Sequence, residues 1–167
     1  DFPAPTALLE ALSQATFEGY NQYPAGDGVL ALREQMAQQF LQRDRLTLDP
    51  HAEITITSGA TVAIFCVIQA CIHADDEVII FDPSYDSYAP AVHLAGGKSI
   101  HINLEAPSFQ VDWQKVKDHI TAKTRMIIVN TPHNPTGAIW SEQDWRQLIE
   151  LIRDKNLVFH HSPIPSG

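Results

Sequence analysis

The sequence lacks the features that identify several large classes of protein. Neither Gly-x-Gly-x-x-Gly nor Gly-x-x-x-x-Gly-Lys-[Ser/Thr] occurs, so neither common nucleotide-binding loop is predicted. Basic side chains are few, with 11 Lys and Arg against 20 Asp and Glu and a net charge of −9, and no basic cluster favours nucleic acid. The longest apolar run, 62–72, is too short to cross a bilayer, and no secretory signal opens the sequence at Asp1. We therefore expect neither a nucleic-acid partner nor a membrane partner.

Cysteine and metal-ligand patterns are also sparse. Cys66 and Cys71 fall in one apolar run that predicts a buried helix, where we expect reduced, hydrophobic thiols rather than a disulfide. Reduced thiols favour the cytoplasm. The eight histidines are scattered, and the pair His160 and His161 would face opposite sides of a strand, so no metal site is predicted.

The apolar pattern of the chain alternates between helices and strands. A helix over 5–16 and a glycine-rich loop over 20–28 precede a second, longer helix. The rest of the pattern predicts strands at 54–57, 77–81, 98–104 and 125–129, helices at 61–72, 85–95, 111–120 and 141–154, and a last apolar run at 157–159. This alternation predicts an α/β fold with a mainly parallel sheet flanked by helices. The length of 167 residues suits one domain with a substantial core.

The strand predicted at 125–129 leads into the most informative turn of the sequence. Asn130 and Asn134 follow it, Pro132 and Pro135 stiffen the backbone, and Gly137 permits a conformation that other residues avoid. The Asn134 amide can both donate and accept hydrogen bonds, so it suits the edge of a ligand site. An ordinary Asn-Pro turn is the alternative.

Two other predicted strands end in turns with related chemistry. After strand 54–57, Gly59, Ala60 and Thr61 open a helix whose start can hold an anion, although Ser58 can also be a simple N-cap. After strand 77–81, the ring of Tyr85 can cover a planar ligand. Alternatively Tyr85 and Tyr88 only pack at the start of the next helix, and for Tyr88 we prefer that interpretation.

Ligands of open α/β sheets bind beyond the carboxyl ends of the strands. If strands 54–57, 77–81 and 125–129 are parallel, the three turns lie at one edge of the sheet. The first would bind an anion, the second would place an aromatic ring over a planar ligand, and the third would hydrogen-bond that ligand. The ligand predicted from these residues is a phosphorylated planar molecule.

The motifs together resemble a known family. Residues 21–23 with the glycine loop and Leu32-Arg33, residues 57–61, residues 82–90 and residues 130–137 are similar, in order and spacing, to class I/II pyridoxal-phosphate aminotransferases of fold type I. Within that family, the residues of these motifs are most similar to those of the methionine and kynurenine (glutamine-transaminase-like) aminotransferases. The resemblance extends from Asp1 to about Leu157, which implies the first half of the large cofactor-binding domain.

The resemblance implies a role for six residues. Gly59, Ala60 and Thr61 would hold the phosphate of pyridoxal phosphate, Tyr85 would stack on its ring, and Asn134 would bond the 3′-oxygen of the pyridine. Tyr23 would reach the phosphate in the neighbouring subunit, which implies a homodimer. The Asn134–Pro135 bond is expected to be cis. The implied activity is transamination between an amino acid and a 2-oxo acid.

The chain also departs from the family pattern. The family places an acidic residue and then a tyrosine after the strand near 157–159, whereas this sequence continues from His160 to Gly167 with neither. None of the five lysines stands in the motif of the Schiff-base lysine, so no catalytic residue is assigned; they are Lys98, Lys115, Lys117, Lys123 and Lys155.

Three interpretations of this departure stay open. The chain is a truncated piece of a transaminase that is inactive alone, a non-catalytic cofactor-binding or interaction module, or part of a carbon–sulfur lyase of the same cofactor family. We expect an N-terminal helical segment with the glycine-rich loop over 1–50, an incomplete cofactor-binding domain over 51–159, and a non-family tail over 160–167.

Overall fold

The computed structural model describes residues 3–153, 155 and 157–161. Its helices are α1 (Thr6–Phe17), α2 (Leu30–Asp44), α3 (Gly59–Cys71), α4 (Tyr88–Leu94), α5 (Trp113–His119) and α6 (Glu142–Ile152). Its strands are β1 (Glu77–Asp82), β2 (Lys98–Asn103), β3 (Thr124–Val129) and β4 (Val158–His161). The chain divides into two compact units, residues 1–57 and 58–167.

The first unit contains α1, α2 and the loops around them. Among the described residues of this unit, Arg33 of α2 is the buried polar side chain. Its guanidinium donates to the carbonyls of Gly28 (3.2 Å) and Pro50 (2.7 Å) and pairs with Asp27 (2.8 Å). Gly28 has a φ of +94°, and a Cβ there would lie 2.6 Å from Cβ of Ile56, so this position requires glycine. Arg33 and Gly28 together fix the end of the glycine-rich loop.

The strand predicted at 54–57 does not form within the described structure. The Ile56 amide donates to the carbonyl of Asp27 in the glycine-rich loop, at 3.0 Å, instead of joining the sheet. Alternating β-branched residues favour extended backbone, but a strand also needs a partner to complete its hydrogen bonds. Only two of the three strands that we expected to be parallel neighbours are therefore in the sheet.

The second unit contains a parallel sheet whose described strands have the order β2-β1-β3-β4. Successive side chains of a strand point to opposite faces, and β1 follows this rule. Val78 and Ile80 pack with α3 and α4, whereas Ile79 and Phe81 pack with α5 and α6. Helices therefore cover both faces of the sheet, and the predicted α/β class is confirmed.

Helix boundaries follow local capping. Ser141 and Asp144 form a reciprocal capping box that begins α6. Asp112 accepts hydrogen bonds from the amides of Gln114 and Lys115, so α5 begins at Trp113 and not at 111. The turn after β1 occupies the residues up to Ser87, which delays α4 to Tyr88.

Helix α3 is less buried than its apolar sequence predicts. Ile64 and Ile68 are its buried residues, whereas Val62 and Phe65 are about two-fifths exposed, at 41% and 42%. Cys66 is exposed, so the expectation that both thiols are core residues is wrong for it; both cysteines are free. A helix that packs on a sheet with one face leaves its other face uncovered, whatever the residue type.

Candidate functional site

The carboxyl ends of β1 and β3 meet at one edge of the sheet. The two strands are adjacent and parallel, with Ile80 paired to Ile128 near this end. The turn after β1 carries Tyr85, and the turn after β3 carries Asn134. The adjacent, parallel pairing therefore brings two of the expected turns to the same edge.

Helix α3 joins this edge through a direct contact. The hydroxyls of Thr61 and Tyr85 lie 3.3 Å apart and share a hydrogen bond. Tyr85 is 38% exposed, and its ring packs edge to face on Tyr88 with 5.8 Å between centroids. Tyr88 is buried in the core, as we preferred, whereas Tyr85 keeps a ring surface open to solvent. An aromatic ring and a hydroxyl from different elements are thus side by side.

The start of α3 has the properties of an anion site. Ser58 stands at the N-cap position, but its side chain makes no capping hydrogen bond, so the alternative of a simple serine cap is wrong. Gly59 has a φ of +82°, and a Cβ there would meet no atom within 4 Å apart from its chain neighbours and the backbone of its own helix. Ala60 and Thr61 are exposed in the same turn. Small, exposed residues therefore stand at the start of a 13-residue helix, where the helix dipole favours an anion.

The turn after β3 is held from inside by its own polar groups. Asn130 is buried, and its side-chain oxygen accepts from the Asn134 amide at 2.6 Å. The His133 amide donates to the carbonyl of Ala138 at 2.8 Å, and Gly137 adopts a φ of +75°. The Asn134–Pro135 bond is cis, as the resemblance implies. Of the two asparagines, Asn130 shapes the turn and Asn134 exposes its side chain.

His133 is the functional residue candidate that the sequence did not reveal. It is 5% exposed, and Nδ1 lies 2.8 Å from Oγ1 of Thr136. Burial lowers the pKa of the imidazole, and a hydrogen bond to the backbone of Phe81 acts in the opposite direction. In the sequence it is one of eight scattered histidines. The sequence signal that could have identified it as a candidate is its position between Pro132 and Asn134, inside the turn after β3.

An aromatic cluster supports the far end of the same turn. Trp140 packs edge to face on Phe81, Trp113 and Trp145, with centroid distances of 5.7, 5.2 and 5.3 Å. The Trp140 amide donates to Oγ1 of Thr131 at 3.0 Å. The cluster therefore links the turn after β3 to the end of β1 and to the helices on that face of the sheet.

Tyr23, the sixth candidate, belongs to the first unit. Its side chain is fully exposed. The loop that carries it is fixed at its far end by Arg33, as described above. Its expected role toward a neighbouring subunit stays a prediction.

Two lysines have a position in the sheet that the strands define, and both lie away from the candidate edge. Lys98 is the first residue of β2 and Lys123 precedes β3, which places both at the amino edge of the sheet. Lys98 bonds Asp75 at 2.8 Å, and this bond raises the pKa of the amine.

Within the described residues, no three His, Cys, Asp or Glu side chains are grouped closely enough to hold a metal ion. None of the helices in that part of the chain has the length and apolar character needed to span a bilayer.

Comparison with known proteins places these features in a family. A family model described as "Aminotransferase class I and II" matches residues 1–160. A methionine aminotransferase of Escherichia coli is 43% identical over 152 residues, which are 91% of this chain and 39% of that protein. A probable N-succinyldiaminopimelate aminotransferase of Mycobacterium tuberculosis is 35% identical over 95% of this chain and 40% of that protein.

Solved structures agree with the sequence matches. The E. coli protein whose crystal structure identified a methionine aminotransferase function superposes with a TM-score of 0.94 and 41% identity, over 96% of this chain and 43% of that one. An aromatic aminotransferase from Pyrococcus horikoshii gives a TM-score of 0.93 and 32% identity, over 98% of this chain and 44% of that one. The chain thus spans about two-fifths of the length of the relatives that it matches.

Proposed function

The chain belongs to the class I and II aminotransferases, and from this premise we propose that it forms part of a pyridoxal-phosphate site for transamination between an amino acid and a 2-oxo acid. Members of this family depend on pyridoxal phosphate. The observation that carries the proposal is the hydrogen bond between Thr61 and Tyr85 at the sheet edge that also carries Asn134. It joins an anion-binding helix start to an exposed aromatic ring, the combination that a phosphorylated planar ligand requires.

The start of α3 would bind the phosphate. Gly59 and Ala60 let a ligand approach the backbone closely, and the Thr61 hydroxyl adds a donor. The open space beside Gly59 and the absence of a Ser58 side-chain cap support this role. The helix dipole then favours the negative charge.

Tyr85 and Asn134 would orient the ring. The exposed face of Tyr85 is available for stacking, and its hydroxyl is already directed to Thr61 beside the proposed phosphate position. Asn134 would donate its side-chain amide to the 3′-oxygen of the pyridine. The cofactor itself would supply the electron sink that stabilises charge at the α-carbon when an amino acid loses its proton.

We propose no catalytic residue in this chain. A group that moves the α-proton must lie at the candidate edge, whereas Lys98 and Lys123 lie at the amino edge of the sheet. The relatives are named for different substrates, among them methionine and aromatic amino acids, so the proposal extends only to the class of amino acid and 2-oxo acid.

The wider assignments are proposals of the same kind. We propose that the complete protein is a homodimer in which Tyr23 serves the neighbouring subunit. We propose a cytoplasmic location, supported by the two free thiols, and no nucleic-acid partner, supported by the net charge of −9. The organisation into 1–50, 51–159 and 160–167 is also retained; residues 162–167 lie outside the described residues.

The test is a binding titration of the purified chain with pyridoxal phosphate, compared with pyridoxal lacking the phosphate. We expect weak, reversible binding, with a Kd on the order of 0.1–1 mM, because only part of the cofactor's surface would be covered. Asn134→Ala should weaken binding about fivefold or more, the effect of one lost hydrogen bond. Asn103→Ala, which changes an exposed asparagine at the end of β2, is the matched control.

The outcome separates the alternatives. Binding that needs the phosphate and Asn134 supports the proposal. Equal binding of both ligands, or equal effects of the two asparagine variants, contradicts it. Borohydride treatment that fixes the ligand stoichiometrically to one lysine and leaves the other lysines unlabelled would contradict the proposal that the chain contributes no lysine to the site.

A further inference from the structure

His101 and Asp82 form a hydrogen-bonded pair across two neighbouring strands. Nδ1 of His101 in β2 lies 2.6 Å from Oδ2 of Asp82, the last residue of β1. The strands are parallel and His101 stands opposite Ile80, so His101 and Asp82 share the face of the sheet on which α3 and α4 pack. The pair therefore joins the two strands at the point where the turn carrying Tyr85 begins.

The direction of this hydrogen bond follows from the chemistry of the pair. An aspartate side chain is ordinarily ionised at neutral pH and then only accepts hydrogen bonds, so Nδ1 of His101 carries the proton that is donated. The carbonyl of Asp82 also accepts from the amide of Leu104, the residue after β2, at 2.7 Å. Asp82 is thus held from the β2 side by its backbone and, through His101, by its side chain.

The sequence after Asp82 offers its carboxylate a different partner. Aspartate side chains commonly accept from the backbone amide two residues further on, which forms an Asx turn. In this chain that amide belongs to Ser84, the residue before Tyr85. In the structure the carboxylate is instead directed across the strands to His101. An Asx turn here would change the path of the backbone that carries Tyr85.

We propose that His101 is a positioning residue: it holds the Asp82 carboxylate away from the amides of the turn after β1, and so keeps Tyr85 beside Thr61. The Tyr85 hydroxyl lies 3.3 Å from that of Thr61, and its ring packs edge to face on Tyr88, so both contacts depend on the shape of this turn. The consequence for a ligand rests on the proposed function, because Tyr85 is expected to stack on the cofactor ring. The pair itself does not depend on that function.

The first experiment tests the hydrogen bond and needs no cofactor. In the full chain labelled with ¹⁵N, Nδ1 of His101 should give the chemical shift of a protonated ring nitrogen at pH 7. Asp82→Ala removes the acceptor and should change that shift. A neutral ring with its proton on Nε2 would overturn the proposal, because Nδ1 would then have no proton to donate to Asp82.

The second experiment follows the Tyr85 ring, whose proton shifts are sensitive to the Tyr88 ring 5.8 Å away. His101→Leu frees the Asp82 carboxylate and should shift the Tyr85 signals. His101→Asn should leave them close to those of the original chain, because the asparagine amide nitrogen, like Nδ1, is attached to Cγ and can donate to the same oxygen. His93→Leu, at an exposed histidine of α4, is the matched control and should leave them unchanged.

Asp82→Ala distinguishes this role from that of a simple link between strands. The variant removes the hydrogen bond to His101, but it also removes the carboxylate that would bond the turn. It should therefore shift the Tyr85 signals less than His101→Leu does, and adding His101→Leu to it should cause no further shift. Equal or larger shifts in Asp82→Ala alone would contradict the proposal. Near-ultraviolet circular dichroism verifies that the variants remain folded.

A titration with pyridoxal phosphate separates this proposal from the proposed function. The side chains of His101 and Asp82 are 41% and 29% exposed, so His101→Leu should weaken cofactor binding about two- to fivefold, and His101→Asn by less than about twofold. Undiminished binding in His101→Leu contradicts the positioning role and leaves the cofactor site standing. A chain that binds no cofactor but shows the expected shifts of His101 and Tyr85 refutes the proposed function and supports the role of His101.

Discussion

Replacing Asp144 by asparagine should loosen the aromatic cluster that supports the turn after β3. The Asp144 carboxylate accepts the indole N–H of Trp113 at 2.8 Å through one oxygen. Its other oxygen accepts the Ser141 amide at 2.8 Å and the Ser141 hydroxyl at 2.6 Å. An asparagine has a single acceptor oxygen, so in Asp144→Asn the NH₂ group faces either the indole N–H of Trp113 or the donors of Ser141, and the hydrogen bonds on that side are lost.

The expected cost follows from these bonds. A hydrogen bond to a charged group contributes about 1.5–3 kcal/mol, and partial exposure of this carboxylate places the effect at the lower end. We therefore expect Asp144→Asn to lower the free energy of unfolding by about 1.5–2 kcal/mol. Asp112→Asn is the control, because asparagine caps a helix as well as aspartate and should cost less than about 0.5 kcal/mol.

The assay is urea unfolding followed by tryptophan fluorescence. All three tryptophans of the sequence lie in the cluster, so the signal reports the region that is perturbed. Equal stabilities of the Asp144 and Asp112 variants would refute the reasoning.

The pH dependence of the same variant has a defined sign. Burial, the largest single influence, raises the pKa of Asp144, but its hydrogen bonds with Ser141 and Trp113 together hold the pKa below its ordinary value. A carboxyl with a lowered folded pKa contributes stability above the unfolded value, about 3.9, and this stability is lost as the pH falls through the folded pKa. The stability difference from Asp144→Asn should therefore be constant near neutrality and shrink below about pH 4. A difference that grows on acidification would contradict this cause.

Three further outcomes are expected. Gly97→Ala would place a Cβ 2.7 Å from Cγ2 of Ile72 and should lower the free energy of unfolding by about 1–3 kcal/mol. Gly26→Ala is the control: its Cβ would meet no atom within 4 Å apart from its chain neighbours, and its free energy of unfolding should change by less than about 0.5 kcal/mol. Equal denaturation midpoints of the two variants would contradict this. Arg33→Lys loses the paired hydrogen bonds that fix the glycine-rich loop and should lower the free energy of unfolding in urea by about 1–3 kcal/mol. Arg43→Lys, at an exposed ion pair, is the control and should lower it by less than about 0.5 kcal/mol. An Arg33→Lys variant as stable as the original chain would contradict this prediction. The exposed apolar side chains of α1 and α3 should cause association, seen in sedimentation velocity as a mass that rises with concentration, and a constant monomer would count against it.

The sequence was sufficient where local chemistry decides the structure. The apolar runs at 77–81 and 125–129 predicted the two central strands, because a strand buried on both faces needs apolar residues throughout. The turns with Tyr85 and Asn134 were placed correctly at the ends of these strands.

Other features depend on partners that are distant in sequence. Residues 54–57 have strand propensity but no strand beside them in the described structure, so they form no ladder. The exposure of Cys66 depends on which face of α3 meets the sheet, and a helix that is apolar all round does not specify that face. The burial of His133 depends on how the turn after β3 folds back on itself, with the His133 amide bonded to the carbonyl of Ala138, which the pattern of a single segment does not contain.

The most direct test of the cofactor site is a map of amide chemical shifts of the ¹⁵N-labelled chain during titration with pyridoxal phosphate. We predict that the shifts concentrate at the start of α3, at the turn after β1 and at the turn after β3, with Thr61, Tyr85 and Asn134 among the most affected. Shifts confined to the amino edge of the sheet near Lys98 and Lys123, or no shifts at millimolar cofactor, would contradict the account.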